Sequence, residues 1–279
     1  MANKDDFGKG ESPWGGSPRG GGNGSGRGGP TPPNIDEIIK KIQDLIKKFI
    51  PGYKLMENAG EAIFKTIKKK FKKQKKSINS YHFVDMLSDV LNNKDVVVTD
   101  MGLSFVGTHQ AFKIKRGQKL YTNSGHAPMG WGLPAAIGAC YAIKRKRIIC
   151  LAGDGGFQMN SQELATVMHN KLPIKIFIYN NGGYLTIKQT QQLGFGGRIM
   201  GADKQSGISF PNYKKIAESY KFKYFNIKSN NKLKNTLKKI IHSKGTSICE
   251  LIMDPDEEQI PKAINKRTPE GKTVPTKLE

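Results

Sequence analysis

Two short apolar runs, each followed directly by a polar cluster, constrain the fold of this chain more than any other feature. The first run spans residues 148–152 and the second spans residues 174–179, with a helix-like segment between them. Apolar runs of this length are typical of buried strands. In a right-handed strand–helix–strand unit the two strands are parallel, so the residues that follow them lie at the same carboxyl edge of the sheet.

The residue types at these two strand ends suggest a phosphate ligand together with a cation. Residues 153–156 read Gly-Asp-Gly-Gly, and Asn180-Asn181 follow the second run. Glycines let backbone N–H groups approach an anion closely, and the next helix points its positive end at the same place. A carboxylate beside a phosphate is repulsive unless a cation lies between them. Asp154 therefore implies a hard divalent ion, held also by the Asn181 amide oxygen, a backbone carbonyl and phosphate oxygens.

This pair of motifs at this spacing resembles the signature of thiamine diphosphate (ThDP) enzymes. In that family the aspartate, the second asparagine and the carbonyl two residues further on bind Mg²⁺. The resemblance implies three metal ligands here, namely Asp154, Asn181 and Gly183. It places the diphosphate of the cofactor against the glycines of the first motif, Gly153, Gly155 and Gly156.

Two other interpretations of these glycines remain open. A dinucleotide-binding fingerprint reads G-x-G-x-x-G, but its sixth position is Gln158 here and its second is an acid that would face the phosphates. An ordinary strand-to-helix turn also uses glycines. The coincidence of two spaced motifs in the correct strand context favours the ThDP interpretation over both.

A second segment, residues 124–139, resembles the part of acetolactate synthases that receives the aminopyrimidine end of the cofactor. Met129 matches the bulky apolar residue that wedges beneath the cofactor and bends it, and the Ala127 carbonyl matches the acceptor for its 4′-amino group. The alternative for Met129 is a methionine that fills a gap in the core. His126 is a candidate for acid–base work or for local hydrogen bonding at a helix start.

The resemblance to acetolactate-synthase-like proteins extends over about residues 78–260. It includes a strand at 96–99 that ends in Asp-x-Gly, a helix at 232–242 and a strand at 247–253. The implied fold class is α/β: a doubly wound, mainly parallel sheet with helices on both faces. We assign this ThDP diphosphate-binding domain to residues 77–262 and a flexible tail to residues 263–279.

A full acetolactate synthase also has a pyrimidine-binding domain, which supplies a glutamate that activates the cofactor. We expect no such domain to fit before Ile78, and Glu163 matches a position on the diphosphate side. The resemblance therefore implies a chain that is inactive by itself and needs a pyrimidine-binding domain from another chain or a homo-oligomer. Its implied substrates are 2-keto acids, with pyruvate as the default.

The first 76 residues differ in character from the rest of the chain. Residues 1–34 are rich in glycine and proline and are predicted to be disordered, whereas residues 35–76 predict two short, basic, amphipathic helices. The beginning of the chain resembles the amino terminus of the bacterial membrane protease regulator HflK. Residues 53–64 resemble the opening helix of NAD(P)H-hydrate epimerases. Fragments of unrelated families indicate a chimeric or misassembled reading frame, and a genuine fusion is the alternative.

The net charge of +23 raises a second hypothesis, a non-catalytic basic adaptor that binds an anionic membrane or nucleic acid through residues 35–76. Most of the charge is lysine, whereas arginine is favoured for reading bases. We therefore expect no specific nucleic acid and at most weak association with anionic membranes. The three cysteines have no CxxC spacing, and we see no secretory signal and no run of 18 apolar residues. These features predict a cytoplasmic protein.

Overall fold

The computed structural model describes residues 77–231, 233–260, 263–267 and 273–278. The predictions of a disordered segment at 1–34 and of basic amphipathic helices at 35–76 lie outside these residues.

A six-stranded sheet forms the centre of the fold, and all of its strands are parallel. The strands lie in the order β2-β1-β3-β4-β6-β5. Their bounds are β1 Val96–Thr99, β2 Lys119–Tyr121, β3 Ile148–Gly153, β4 Ile174–Asn180, β5 Lys223–Ile227 and β6 Ser247–Ile252. The central strands are buried almost throughout because helices cover both faces, which explains their nearly continuous apolar sequences.

Eight helices connect and cover the strands within the described residues. They are α1 Ser80–Val90, α2 Leu103–Ala111, α3 Gly132–Ala142, α4 Asp154–Met159, α5 Leu164–His169, α6 Leu185–Gly194, α7 Tyr213–Ser219 and α8 Leu233–His242. The segment between β3 and β4 is not one continuous helix, since a 3₁₀ turn at Ser161–Glu163 separates α4 from α5.

Two hydrophobic cores, one on each face of the sheet, hold these layers together. Alternate strand residues point to opposite faces, so Ile149 packs with α1, α2 and α8, whereas Cys150 packs with α3, α4, α5 and α7. The prediction of a doubly wound α/β sheet is therefore confirmed, and the sheet is parallel in all six strands rather than mainly parallel.

The strand order reverses between β1 and β3. From β1 the chain passes outward to β2 and then returns across the sheet to β3. Open α/β sheets bind ligands in the crevice that such a reversal leaves at the carboxyl ends of the strands. Asp100 follows β1, Asp154 follows β3 and Asn181 follows β4, so all three lie at this edge.

Two more strands lie in the segment that the sequence predicts as a tail. Strands β7 (Ala263–Arg267) and β8 (Thr273–Leu278) pair antiparallel and form a sheet of their own. This pairing was not predicted from the sequence. As for membranes, no helix in the described part of the chain is both long and apolar enough to span a bilayer.

Candidate functional site

A cavity of about 370 Å³ lies at the carboxyl edge of the sheet, beside the reversal between β1 and β3. A volume of this size is within the range of small-molecule sites. One wall is apolar and includes Met101, Phe105, Val106 and Leu185. All eight residues that the sequence proposed for the cofactor line the cavity: Ala127, Met129, Gly153, Asp154, Gly155, Gly156, Asn181 and Gly183.

Asp154 is the buried carboxylate of this cavity, and backbone N–H groups surround it. Oδ1 accepts from Gly155 N at 2.7 Å, and Oδ2 accepts from Gly182 N at 2.8 Å and Gly183 N at 3.1 Å. Burial raises the pKa of Asp154 to about 7, and these N–H groups oppose the rise. A cation bound beside Asp154 would favour the ionised carboxylate and lower this pKa.

Asn181 and Gly183 complete one corner of the cavity with Asp154, and we call these three residues the ion corner. Asn181 Nδ2 lies 3.1 Å from the Gly183 carbonyl oxygen. Rotation of the Asn181 carboxamide by a half turn exchanges its Nδ2 and Oδ1 atoms. The Asn181 Oδ1 and the Gly183 carbonyl oxygen would then lie at about this separation. Neighbouring oxygens of an octahedral Mg²⁺ shell are about 3 Å apart when each is about 2.1 Å from the ion. Asn180, the first asparagine of the pair, donates to Glu250 Oε1 at 2.5 Å and accepts from the Gly182 N–H at 3.2 Å.

The donor set of the ion corner also fits Mg²⁺. It offers one carboxylate, one amide and one backbone carbonyl, which leaves room for the phosphate oxygens and water that Mg²⁺ commonly retains. Over the part of the chain that the structure describes, no group of three or more His, Cys, Asp or Glu residues comes together to hold a metal.

Two of the three glycines of the first motif, Gly155 and Gly156, are required by the packing of the protein. A Cβ on Gly155 would lie 1.9 Å from the ring of Tyr184, and a Cβ on Gly156 would lie 2.2 Å from Asp100 Oδ2. Nothing lies within 4 Å of a Cβ on Gly153. The Gly155 N–H donates to Asp154 rather than pointing freely at an anion, which the sequence pattern did not indicate.

Residues 122–130, which we call the wedge loop, form another side of the cavity. Most of the loop is exposed, and Met129 has 37% of its surface accessible. Met129 is therefore not a core methionine, the alternative that its sequence position left open. Ala127 has a φ of +49°, a left-handed conformation that is uncommon for a residue with a Cβ. His126 is exposed in a turn of this loop and lies before, not within, helix α3.

Two further polar side chains, His109 on α2 and Glu163 after α4, have local partners. His109 stacks on Phe105 with ring centroids 4.1 Å apart, and its Nδ1 lies 2.9 Å from the Phe105 carbonyl oxygen of the same helix. Glu163 accepts from Thr166 Oγ1 at 3.1 Å, one turn further along the chain. Both side chains therefore support the helices on which they lie.

Sequence reasoning missed the loop that holds Gly183 in place. Gly183 forms an isolated bridge with Asp203, and Tyr184 N donates to the Ala202 carbonyl at 2.7 Å. Ser206 closes this loop, because its N–H and hydroxyl both donate to Asp203 Oδ1. An aspartate followed three residues later by a serine is a turn signal that could have located the loop, although not its contact with Gly183.

Comparison with protein families gives two matches in different parts of the chain. The family described as thiamine pyrophosphate enzyme, C-terminal TPP binding domain, matches residues 100–251. The family described as bacterial membrane protein N terminal matches residues 1–53. The two ends of the chain thus resemble unrelated families, as the sequence motifs predicted.

Similar curated proteins include several acetolactate synthase large subunits. A probable acetolactate synthase large subunit from Methanocaldococcus jannaschii is 36% identical over 65% of this chain and 31% of its own length. The large subunit from Porphyra purpurea is 35% identical over 58% of this chain and 27% of its own length. The isozyme 1 large subunit from Escherichia coli K12 is 28% identical over 66% of this chain. The chain thus spans about a third of the length of the curated relatives it matches.

Proposed function

We propose that this chain, which belongs to the thiamine pyrophosphate enzyme family, contributes the diphosphate-binding half of the active site to an acetolactate-synthase-like enzyme that acts on 2-keto acids. The observation that carries the proposal is the convergence of Asp154, Asn181 and Gly183 on one cavity that Met129 also lines. The family supplies the cofactor, ThDP with Mg²⁺, and the similar large subunits support the class of reaction.

Each residue of the cavity has a definite role in this proposal. The ion corner holds Mg²⁺ through the Asp154 carboxylate, the Asn181 amide oxygen and the Gly183 carbonyl. Gly153, Gly155 and Gly156 let the diphosphate lie close to the backbone. Met129 supports the cofactor from below, and the Ala127 carbonyl accepts a hydrogen bond from its 4′-amino group. When bound, ThDP supplies a nucleophilic ring carbon and an electron sink for decarboxylation and carbon–carbon bond formation.

The partner in this proposal is a pyrimidine-binding domain, on another chain or in a second copy of this one. Met129 is partly exposed and residues 124–128 of the wedge loop are exposed, so a surface is available for such a domain. We therefore propose that the described domain binds the cofactor and becomes active only when the partner supplies its glutamate. The three cysteines are buried and free, which supports a reducing compartment such as the cytoplasm.

Calorimetric titration of the chain with ThDP and Mg²⁺ tests the proposal. Wild type should bind ThDP in a Mg²⁺-dependent manner, and Asp154→Ala should lower the affinity by at least about 100-fold, because it removes the charged ligand of the ion. Asp89→Ala is a matched control, since Asp89 lies on α1 and pairs there with Lys113. The proposal is wrong if wild type gives no binding or if Asp154→Ala binds as wild type does.

A further inference from the structure

The Gly130 peptide is held from both sides by side chains that come from different parts of the chain. Its N–H donates to Asp100 Oδ2 at 3.1 Å, and its carbonyl accepts from Asn160 Nδ2 at 2.8 Å. Gly130 is buried and has a φ of +86°. A Cβ there would lie 2.9 Å from Asn160 Nδ2 and from Met159 Cβ, so no other residue fits without displacing its neighbours.

The two side chains that hold Gly130 come from elements that also build the diphosphate side of the cavity. Asp100 follows β1, is 1% exposed and packs directly against Gly156. Asn160 is the C-cap of α4, the helix that begins at Asp154. A continuous series of contacts therefore links Asn160, at the end of α4, to Gly130 and then to Asp100. Asp100 in turn contacts Gly156 within α4.

Gly130 is the point at which the wedge loop is attached to the body of the domain. The residues before it are exposed, and the Ala127 N–H donates to Asn123 O within the same loop. Met129 directly precedes Gly130 in the chain. The hydrogen bonds of Asp100 and Asn160 to Gly130, the next residue, therefore set the position of Met129 relative to the ion corner.

We propose that Asp100 and Asn160 are positioning residues that fix Met129 at its place opposite the ion corner. They then determine how tightly the site binds the heterocyclic end of the cofactor, while the diphosphate end is bound independently of them. This inference rests on the proposed function, in which Met129 supports the cofactor. Neither residue touches the cofactor in this proposal, since both act through the Gly130 peptide.

Comparison of two probes, ThDP and inorganic pyrophosphate, each with Mg²⁺, tests this inference by calorimetry on the full chain. Wild type should bind ThDP more tightly than pyrophosphate. Asn160→Ala and Asp100→Ala, which each remove one hydrogen bond to Gly130, should weaken ThDP binding by about tenfold, equal to about 1.4 kcal/mol, and leave pyrophosphate binding unchanged. Asn170→Ala is the matched control, because Asn170 makes a similar side-chain bond to the Thr166 carbonyl at the end of α5.

A double-mutant cycle separates positioning from a general loss of structure. Met129→Ala alone should weaken ThDP binding, and adding Asn160→Ala to it should have little further effect, because Asn160 acts through Met129. Additive losses, equal losses for the two probes, or wild-type binding by both variants would each overturn the inference. If wild type binds both probes equally, the inference is also wrong. If wild type binds neither probe, the proposed function itself fails and the inference fails with it.

Discussion

The two edges of the parallel sheet both bury charged side chains, but they satisfy the charges differently. At the amino edge, Lys175 is 1% exposed and donates to Ser243 O, Ser243 Oγ and Gly245 O at 2.6, 2.9 and 2.6 Å. Arg147 beside it donates to Asp95 Oδ1 and to the Ile241 carbonyl. All three donors of the lysine ammonium group are thus used by the protein itself.

At the carboxyl edge the buried carboxylate of Asp154 is left open to a ligand, because it lines the cavity. Asp154 faces the cavity and is held by backbone N–H groups rather than by a cationic side chain. Asp100 Oδ1 has no hydrogen-bond partner among the described residues, and burial raises the pKa of this carboxyl. A buried charge therefore stabilises the fold where the protein itself supplies all of its partners, and it serves binding where a partner position is left for a ligand.

Removal of the amino-edge ammonium group should have the largest effect on stability. Lys175→Met should lower the free energy of unfolding by about 3 kcal/mol, because two carbonyls and a hydroxyl lose their buried partner. Urea unfolding measures this loss, and ThDP affinity of the folded protein should be unchanged. Lys223→Met, at an exposed position of the same edge, is the control. A loss of unfolding free energy below about 1 kcal/mol would show that the stability of the protein does not depend on the charge of Lys175.

Ligand binding should stabilise the protein through the carboxyl edge alone. ThDP and Mg²⁺ at about 100 times the dissociation constant should add about 2.7 kcal/mol to the free energy of unfolding. The gain should be the same in wild type and Lys175→Met and at most about 0.4 kcal/mol in Asp154→Ala, as measured by urea unfolding with and without ligand. If ThDP and Mg²⁺ stabilised Asp154→Ala as much as wild type, ligand binding would not depend on the buried carboxylate at the carboxyl edge.

Glu257 differs from Asp154, because it is a buried carboxylate that does not line the cavity and whose partners come from the protein. It accepts from the Ser80 N–H at 3.1 Å and from the Ser80 hydroxyl, at the start of α1. Burial raises its pKa from 4.5 to about 7, against the effect of these bonds. The folded state therefore holds the proton more tightly than the unfolded state between these two pH values. Its contribution to stability is greatest at low pH and falls as pH rises through this window.

Comparison of wild type with Glu257→Gln at different pH values should reveal the contribution of Glu257 to stability. Between pH 5 and 7.5, wild type should lose about 2 kcal/mol of unfolding free energy relative to the variant. Asp154 titrates in both proteins, so its contribution cancels in the difference. Urea unfolding at both pH values without Mg²⁺ provides the measurement. Parallel pH profiles would mean that Glu257 keeps an ordinary pKa.

The smallest effect is expected for a charge pair in solvent. Lys214 and Glu218 lie 3.8 Å apart on α7 with both side chains more than half exposed. Glu218→Gln should change the free energy of unfolding by less than about 0.5 kcal/mol, because water screens the pair. A larger change in the free energy of unfolding, measured in urea, would show that solvent exposure does not determine the strength of this ion pair.

Strand positions and the ion corner could be predicted because they depend on short stretches of sequence. The strand at Val96–Thr99 has the predicted bounds, and Asp154 meets the segment after Asn181 because β3 and β4 are adjacent and parallel. The spacing of two motifs on neighbouring strands is enough to bring their ends together.

Contacts between distant segments could not be predicted in this way. Asp100 was noted only as part of an Asp-x-Gly motif, and its contact with Gly130 depends on how the wedge loop returns to β1. The break between α4 and α5 occurs at Asn160, whose φ of −132° ends the helix while its side chain reaches Gly130. Helical periodicity does not indicate such a break, because its cause is a tertiary contact.

The buried cysteines have a practical consequence for following ligand binding in solution. Cys140, Cys150 and Cys249 are the three cysteines of the chain, and all are buried and free. Burial raises the pKa of each thiol, so little reactive thiolate forms near neutral pH. A cysteine introduced at the exposed His126 would accordingly react first with a maleimide dye. A fluorophore at that position, on the wedge loop beside the cavity, would report ligand binding without removal of any native thiol.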